Sequence, residues 1–156
     1  MTETPRGNAL HSGFSRAVKI PHAKALGLEL IDVSRGEATL LLPYNKKLVG
    51  DPDTGILHGG VITTVMDNAM GLSVFSAMDP AMPMATLDLR LDYLKPAVPG
   101  LDVKVYAHCY KVTRHVAFVR GLAYHDDKSD PIANGAATFM LKRPATMAEP
   151  ATANAE

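Results

Sequence analysis

The chain has 156 residues, of which 47% are hydrophobic and 21% charged, and its sixteen basic side chains are balanced by sixteen acidic ones. That length suits one domain with one sizeable core, and the composition is far from that of a disordered chain. Charge balance excludes a long-range field for nucleic acid or an anionic membrane surface, so an anionic ligand would have to meet a local basic patch.

A single cysteine, Cys109, excludes an intrachain disulfide framework and a four-thiolate zinc site, and a reducing cytoplasm is the expected location. Met1 to Asn8 has no apolar run behind it, so no secretory signal is expected. Val61 to Met78 is the longest apolar stretch, but Thr63, Thr64, Asp67, Asn68, Ser73 and Ser76 interrupt it; this argues for a buried helix and against a membrane span.

In chain order, Ala9 to Ile20 reads as an amphipathic helix through Leu10, Phe14, Ala17 and Val18, with Pro21 ending it or opening a second short turn. Leu28–Val33 and Glu37–Pro43 are β-type runs around a Ser34-Arg35-Gly36 turn, which predicts a hairpin. Tyr44 to Leu57 concentrates Asn45, Gly50, Asp51-Pro52, Asp53 and Gly55 and is expected to be a loop. From His58 to Met78 apolar residues cover most of a helical circumference, so that helix must be enclosed. Ala85, Leu87, Leu89, Leu91 and Tyr93 then alternate with polar residues, the pattern of a strand with one apolar face. Leu101–Val112, Val116–His125 and Ile132–Leu141 read as three further strands with short, hence antiparallel, links. The expected class is α+β, a long helix wrapped by an antiparallel sheet of about six strands. Pro144 to Glu156 has almost nothing large and apolar to bury and is expected to be a frayed tail.

Two features carry chemistry. Gly59 and Gly60 fall where the turn-rich segment gives way to the helix, so amide N–H groups point outward at the positive end of the helix dipole; this is an oxyanion cradle, or simply a tight turn. Asp67 lies two turns into a mostly apolar helix with no Lys or Arg three or four positions away. It sits on one stripe with Thr63, Thr64, Asn68 and Gly71, which could face water, but a solvent face normally carries Lys, Glu or Arg and this helix has none. An unpaired carboxylate on such a helix marks a site. His58 orients a ligand carbonyl or merely caps the loop. The remaining histidines lack metal-like spacing, Cys109 alternates with Val103, Val105 and Ala107 as a core residue does, and nucleophile-elbow, phosphate-loop and dinucleotide signatures are missing.

Thr54-Gly-Ile-Leu-His-Gly-Gly-Val-Ile62 followed by Asp67, then Ala85-Thr-Leu-Asp-Leu-Arg-Leu-Asp-Tyr-Leu-Lys-Pro96 and Ala133-Asn-Gly-Ala-Ala-Thr-Phe139, resemble the hotdog-fold acyl-CoA thioesterases, within them the phenylacetyl-CoA thioesterase type. The resemblance covers roughly residues 25–142 and implies a hotdog domain over 25–143, which the residue pattern flanks with an N-terminal helical segment over 1–24 and a frayed tail over 144–156. It implies an acyl-CoA substrate and a dimer, with dimers pairing into tetramers. It also implies that Asp67 of one subunit acts as base or nucleophile while the Gly59 N–H of the other polarises the carbonyl, with His58 nearby and Thr86 positioning the attacking water. Gly60, Asp51 and Asn68 fall among the substrate-binding positions. One departure is that Asp51-Pro52-Asp53 stands where the family often has Asn, and a carboxylate cannot donate a hydrogen bond to the thioester oxygen.

No metal or separate cofactor is implied, because coenzyme A belongs to the substrate. Its phosphates would be met by Lys95, Lys111 and Arg114, each of which also reads as an ordinary solvated charge. Two alternatives remain: a non-catalytic acyl-CoA binding protein, and an acyl-thioester hydratase or dehydratase on the same fold.

Overall fold

Residues 17–142 are described in this computed structural model. The helix expected from Ala9 therefore lies outside the described residues as far as Arg16, as does the tail from Pro144. Ala17–Lys19 form a 3-10 turn, and Pro21, whose missing N–H costs nothing at a helix start, opens the short helix α1 (Pro21–Leu26).

The Ser34-Arg35-Gly36 turn does produce a hairpin: β1 (Glu29–Ser34) and β2 (Glu37–Leu42) pair antiparallel from Ser34↔Glu37 to Glu29↔Leu41. The segment read as a plain loop holds more order than expected. Asn45 accepts a hydrogen bond from the Lys47 N–H and caps a 3-10 turn at Lys46–Leu48, after which β3 (Val49–Asp51) and β4 (Ile56–Leu57) form a separate two-stranded hairpin. Turn-forming residues here tie the backbone into small regular units instead of leaving it irregular.

The long helix α2 (Gly59–Ala77) follows, then β5 (Met84–Tyr93), β6 (Val103–Val112), β7 (Val116–Tyr124) and β8 (Ala133–Leu141). The six-stranded sheet runs β1-β2-β6-β7-β8-β5, every pair antiparallel. The segment after β5 thus crosses over to the middle of the sheet, and β5 becomes an edge. Among the described residues, no helix is long and apolar enough to cross a membrane.

Ile62, Val65, Met66, Ala69, Met70 and Val74 of α2 are buried against Val105, Ala107, Val119, Ala137 and Phe139 of the sheet. Each of the larger side chains among them contributes about 1.5–3 kcal/mol by leaving water, which is why the apolar helix sits inside the curl of the sheet. The two buried serines are satisfied: the Ser73 hydroxyl donates to the Met70 carbonyl at 2.7 Å, and Ser76 donates to the Ser73 carbonyl at 2.9 Å while accepting from the Gly36 N–H at 3.1 Å. Ser76 thereby stitches the end of α2 to the β1–β2 turn.

The alternation in β5 fails at one place, and the failure matters. Leu89, Leu91 and Tyr93 pair with Ala137, Gly135 and Ala133, but the register slips between Thr86 and Asp88, so that Thr86 comes opposite Phe139. Cross-strand partners share a face, and Phe139 is buried beside Gly71 of α2. The bulge therefore turns Thr86 toward the helix and leaves Leu87, expected on the apolar face, 56% exposed.

Candidate active site

His58 is the N-cap of α2, in an extended conformation (φ −62°, ψ 132°). Its Nδ1 accepts a hydrogen bond from the Gly60 N–H at 2.9 Å. An accepting Nδ1 places the proton of the neutral ring on Nε2. Gly60 must be glycine for this cap, since a Cβ would lie 2.9 Å from Nδ1. Gly50 is required for a second close approach: a Cβ there would come within 2.9 Å of the His58 Cα, a backbone atom that cannot swing aside. Gly50→Ala is accordingly expected to cost about 1–3 kcal/mol and to displace His58, seen as a lower Tm together with lower activity.

The cap uses the Gly60 amide, so the first-turn donor left open is that of Gly59, whose N–H makes no hydrogen bond among the described residues. The Gly59 carbonyl, by contrast, accepts from the Tyr93 hydroxyl at 2.6 Å, with the Thr63 hydroxyl 3.3 Å away. Tyr93 was legible in the sequence only as the last apolar position of a strand; nothing there signalled a contact with the helix start.

Asp67 is half-buried, and its Oδ1 accepts a hydrogen bond from the Thr86 hydroxyl at 2.9 Å. The polar stripe of α2 runs along the edge strand, with Thr63 against Tyr93, Asp67 against Thr86 and Gly71 against Met84. It is neither open to solvent all round nor sealed in the core.

Other expected residues are placed differently. The Asn68 side-chain amide donates back to the Thr64 carbonyl at 2.8 Å. Asp51 folds into its own turn, accepting from the Asp53 N–H at 3.1 Å and the Thr54 hydroxyl at 2.7 Å, and these bonds hold its carboxyl below the usual range. The three basic candidates do not converge. Lys95 pairs with Asp130 just beyond the Tyr93↔Ala133 end of the sheet, whereas Lys111 and Arg114 lie toward the opposite end, near the Val116↔Met140 pair. Met66 and Met70 have their tips on Gly121 and Gly135 in the core, so of the methionines near α2 it is Met84, beside Gly71, that borders the polar stripe.

Cys109 is 8% exposed, and burial pushes its thiol up. Cys109→Ala is expected to keep full activity, and the native protein to react with a thiol reagent only on unfolding. Among the described residues, no three His, Cys, Asp or Glu side chains gather to hold a metal ion.

The model of the Thioesterase superfamily matches residues 54–132, which takes in the His58 cap, the Gly59 amide, Asp67 and Thr86. The chain belongs to the thioesterase superfamily. A relative in that superfamily, the medium/long-chain acyl-CoA thioesterase YigI of Escherichia coli, is 30% identical over 135 residues, covering 78% of this chain and 86% of that protein. A Halobacterium salinarum protein is 44% identical over 75 residues, which span 50% of its length. A crystal structure from Pseudomonas aeruginosa superposes with a TM-score of 0.77 at 40% identity, covering 85% of this chain and 99% of that one. The Escherichia coli PaaI protein of the phenylacetic acid degradation operon superposes with a TM-score of 0.76 at 14% identity over 88% of this chain and 96% of its own, a likeness of fold alone. Among thioesterase-superfamily folds this is the hotdog arrangement: one long helix wrapped by a six-stranded antiparallel sheet.

Proposed function

We propose that this protein hydrolyses an acyl-CoA thioester to the free acid and coenzyme A, with residues 25–143 as the catalytic unit and no cofactor besides the coenzyme A of the substrate. The observation that carries the reading is the Thr86–Asp67 bond: a carboxylate on an otherwise apolar helix, oriented through Oδ1 by a hydroxyl that a bulge turns inward, in a chain of this superfamily.

In the proposed reaction Asp67, with Oδ1 held, uses Oδ2 to take a proton from water as that water attacks the thioester carbonyl, or attacks the carbonyl itself to give a mixed anhydride that water then cleaves to the free acid. An amide donor receives the negative charge on the carbonyl oxygen, and the thiolate of coenzyme A leaves. Asp67 follows Gly59 by eight residues, about 12 Å along a helix, too far for both to reach one carbonyl group. The reading therefore pairs Asp67 of one protomer with Gly59 of the partner subunit. The free edge of β5, ten residues long and carrying the exposed Leu87, supplies a surface on which a second copy would extend the sheet.

The test is thiol release across an acyl-CoA panel from phenylacetyl to long straight chains, with Asp67→Asn as control. Binding without thiol release would leave an acyl-CoA binding protein; hydration of an enoyl thioester in place of cleavage would make it a hydratase.

A further inference from the structure

The start of α2 poses a mechanical problem. Two consecutive glycines carry no side chain to pack, and glycine loses more conformational freedom on ordering than any other residue, so an N–H donor at Gly59 would be poorly fixed by the helix alone. The structure holds the peptide linking Gly59 to Gly60 at both ends. Its N–H donates to His58 Nδ1 at 2.9 Å, and its C=O accepts from the Tyr93 hydroxyl at 2.6 Å. Tyr93 is the last residue of the edge strand, so this second tie comes from another element of the fold.

Tyr93 has one hydroxyl proton, which it gives to the Gly59 carbonyl. Its oxygen is 2.7 Å from the Thr63 hydroxyl, closer than the 3.3 Å between that hydroxyl and the Gly59 carbonyl. The proton order that satisfies every group runs from Thr63 to Tyr93 to Gly59, and each bond in such a chain polarises the next. The ring also packs on the glycine, where a Cβ at Gly59 would meet the Tyr93 hydroxyl at 3.5 Å.

We propose that Tyr93, oriented by Thr63, is a positioning residue for hydrolysis: by locking the Gly59–Gly60 peptide it fixes the backbone at Gly59, and with it the adjoining His58–Gly59 peptide, whose C=O accepts from the Val61 N–H at 2.9 Å and whose N–H points where the oxyanion forms. The inference rests on the Gly59 amide being the oxyanion donor. Because Tyr93 acts through the backbone, its contribution falls on kcat and is the same for every substrate.

The experiment compares Tyr93→Phe, Thr63→Val and the double variant across the acyl-CoA panel, with Gly59→Pro measured alongside. Tyr93→Phe keeps the ring and removes the hydroxyl. It is expected to lower kcat about 10-fold with KM unchanged and by the same factor for each thioester. Thr63→Val is expected to lower kcat less, and the double variant to be no worse than Tyr93→Phe, because both act through one chain of bonds. If Gly59→Pro is disabled while Tyr93→Phe turns over like wild type, or if the Tyr93→Phe loss falls on KM and varies with the acyl chain, the positioning role is overturned and the oxyanion reading stands. A fully active Gly59→Pro overturns both.

Discussion

Asp67→Asn is expected to lower kcat by about 10²-fold or more, with KM and Tm close to wild type. The amide has the shape of the carboxylate, and its oxygen still accepts the Thr86 hydroxyl at the position Oδ1 now occupies, 2.9 Å away, so the packing of α2 on β5 is retained. What disappears is the capacity to take a proton or to attack. Removing the hydroxyl that aims the carboxylate is a smaller insult: Thr86→Val leaves the base in place and lets it rotate, for an expected loss of about 10-fold. Steady-state thiol release by the three proteins, with thermal melts as the check on folding, decides the matter. Wild-type turnover by Asp67→Asn would end the hydrolytic mechanism as drawn.

Gly59→Pro is expected to lower kcat by about 10²- to 10³-fold, the range for loss of one oxyanion donor. Proline suits this position structurally. Gly59 is the first residue of α2, where proline is favoured, and His58 before it already has the extended backbone that a following proline demands. The substitution thus deletes one N–H and little else. The decisive form of the experiment mixes subunits: Asp67→Asn and Gly59→Pro are each inactive, but a heterodimer has one site in which both groups are intact. Random reassortment makes half the dimers mixed, with one working site of two, so activity should recover to about a quarter of wild type. Recovery requires the catalytic groups to come from different protomers; mixtures that stay inactive after verified exchange would place both groups in one chain.

The order of elements, the enclosed helix and the sheet of about six strands were legible because they follow from local periodicity, turn residues and the need to bury an all-round apolar helix. Asp67 was legible for a related reason: a carboxylate without a helical counter-ion contradicts its surroundings, and a contradiction shows in one dimension. Thr86 was reached only by resemblance, since simple alternation along β5 turns it to the outer face. The bulge that reverses it is a register slip against β8, a property of two strands that lie far apart in the sequence and meet only in the folded sheet, where Thr86 pairs with Phe139. The basic candidates for coenzyme A failed to converge for the same reason, because charge at a strand end says nothing about which end of the sheet it will occupy.

Residue types and their spacing were enough to determine that this chain builds a helix too apolar to stand in water, with one acid on it and two glycines at its head. Only the tertiary structure decided that β5 lies at the sheet edge, that its bulge brings a hydroxyl to Asp67, that His58 consumes the Gly60 amide and leaves that of Gly59 open, and that Tyr93 braces the Gly59–Gly60 peptide from the far end of the strand. The physical reason is range. Periodicity and capping are set by neighbours within a few residues, whereas strand order, register and contacts across elements are set by which apolar faces close on one another, and a side chain's chemistry is settled by what that closure places beside it.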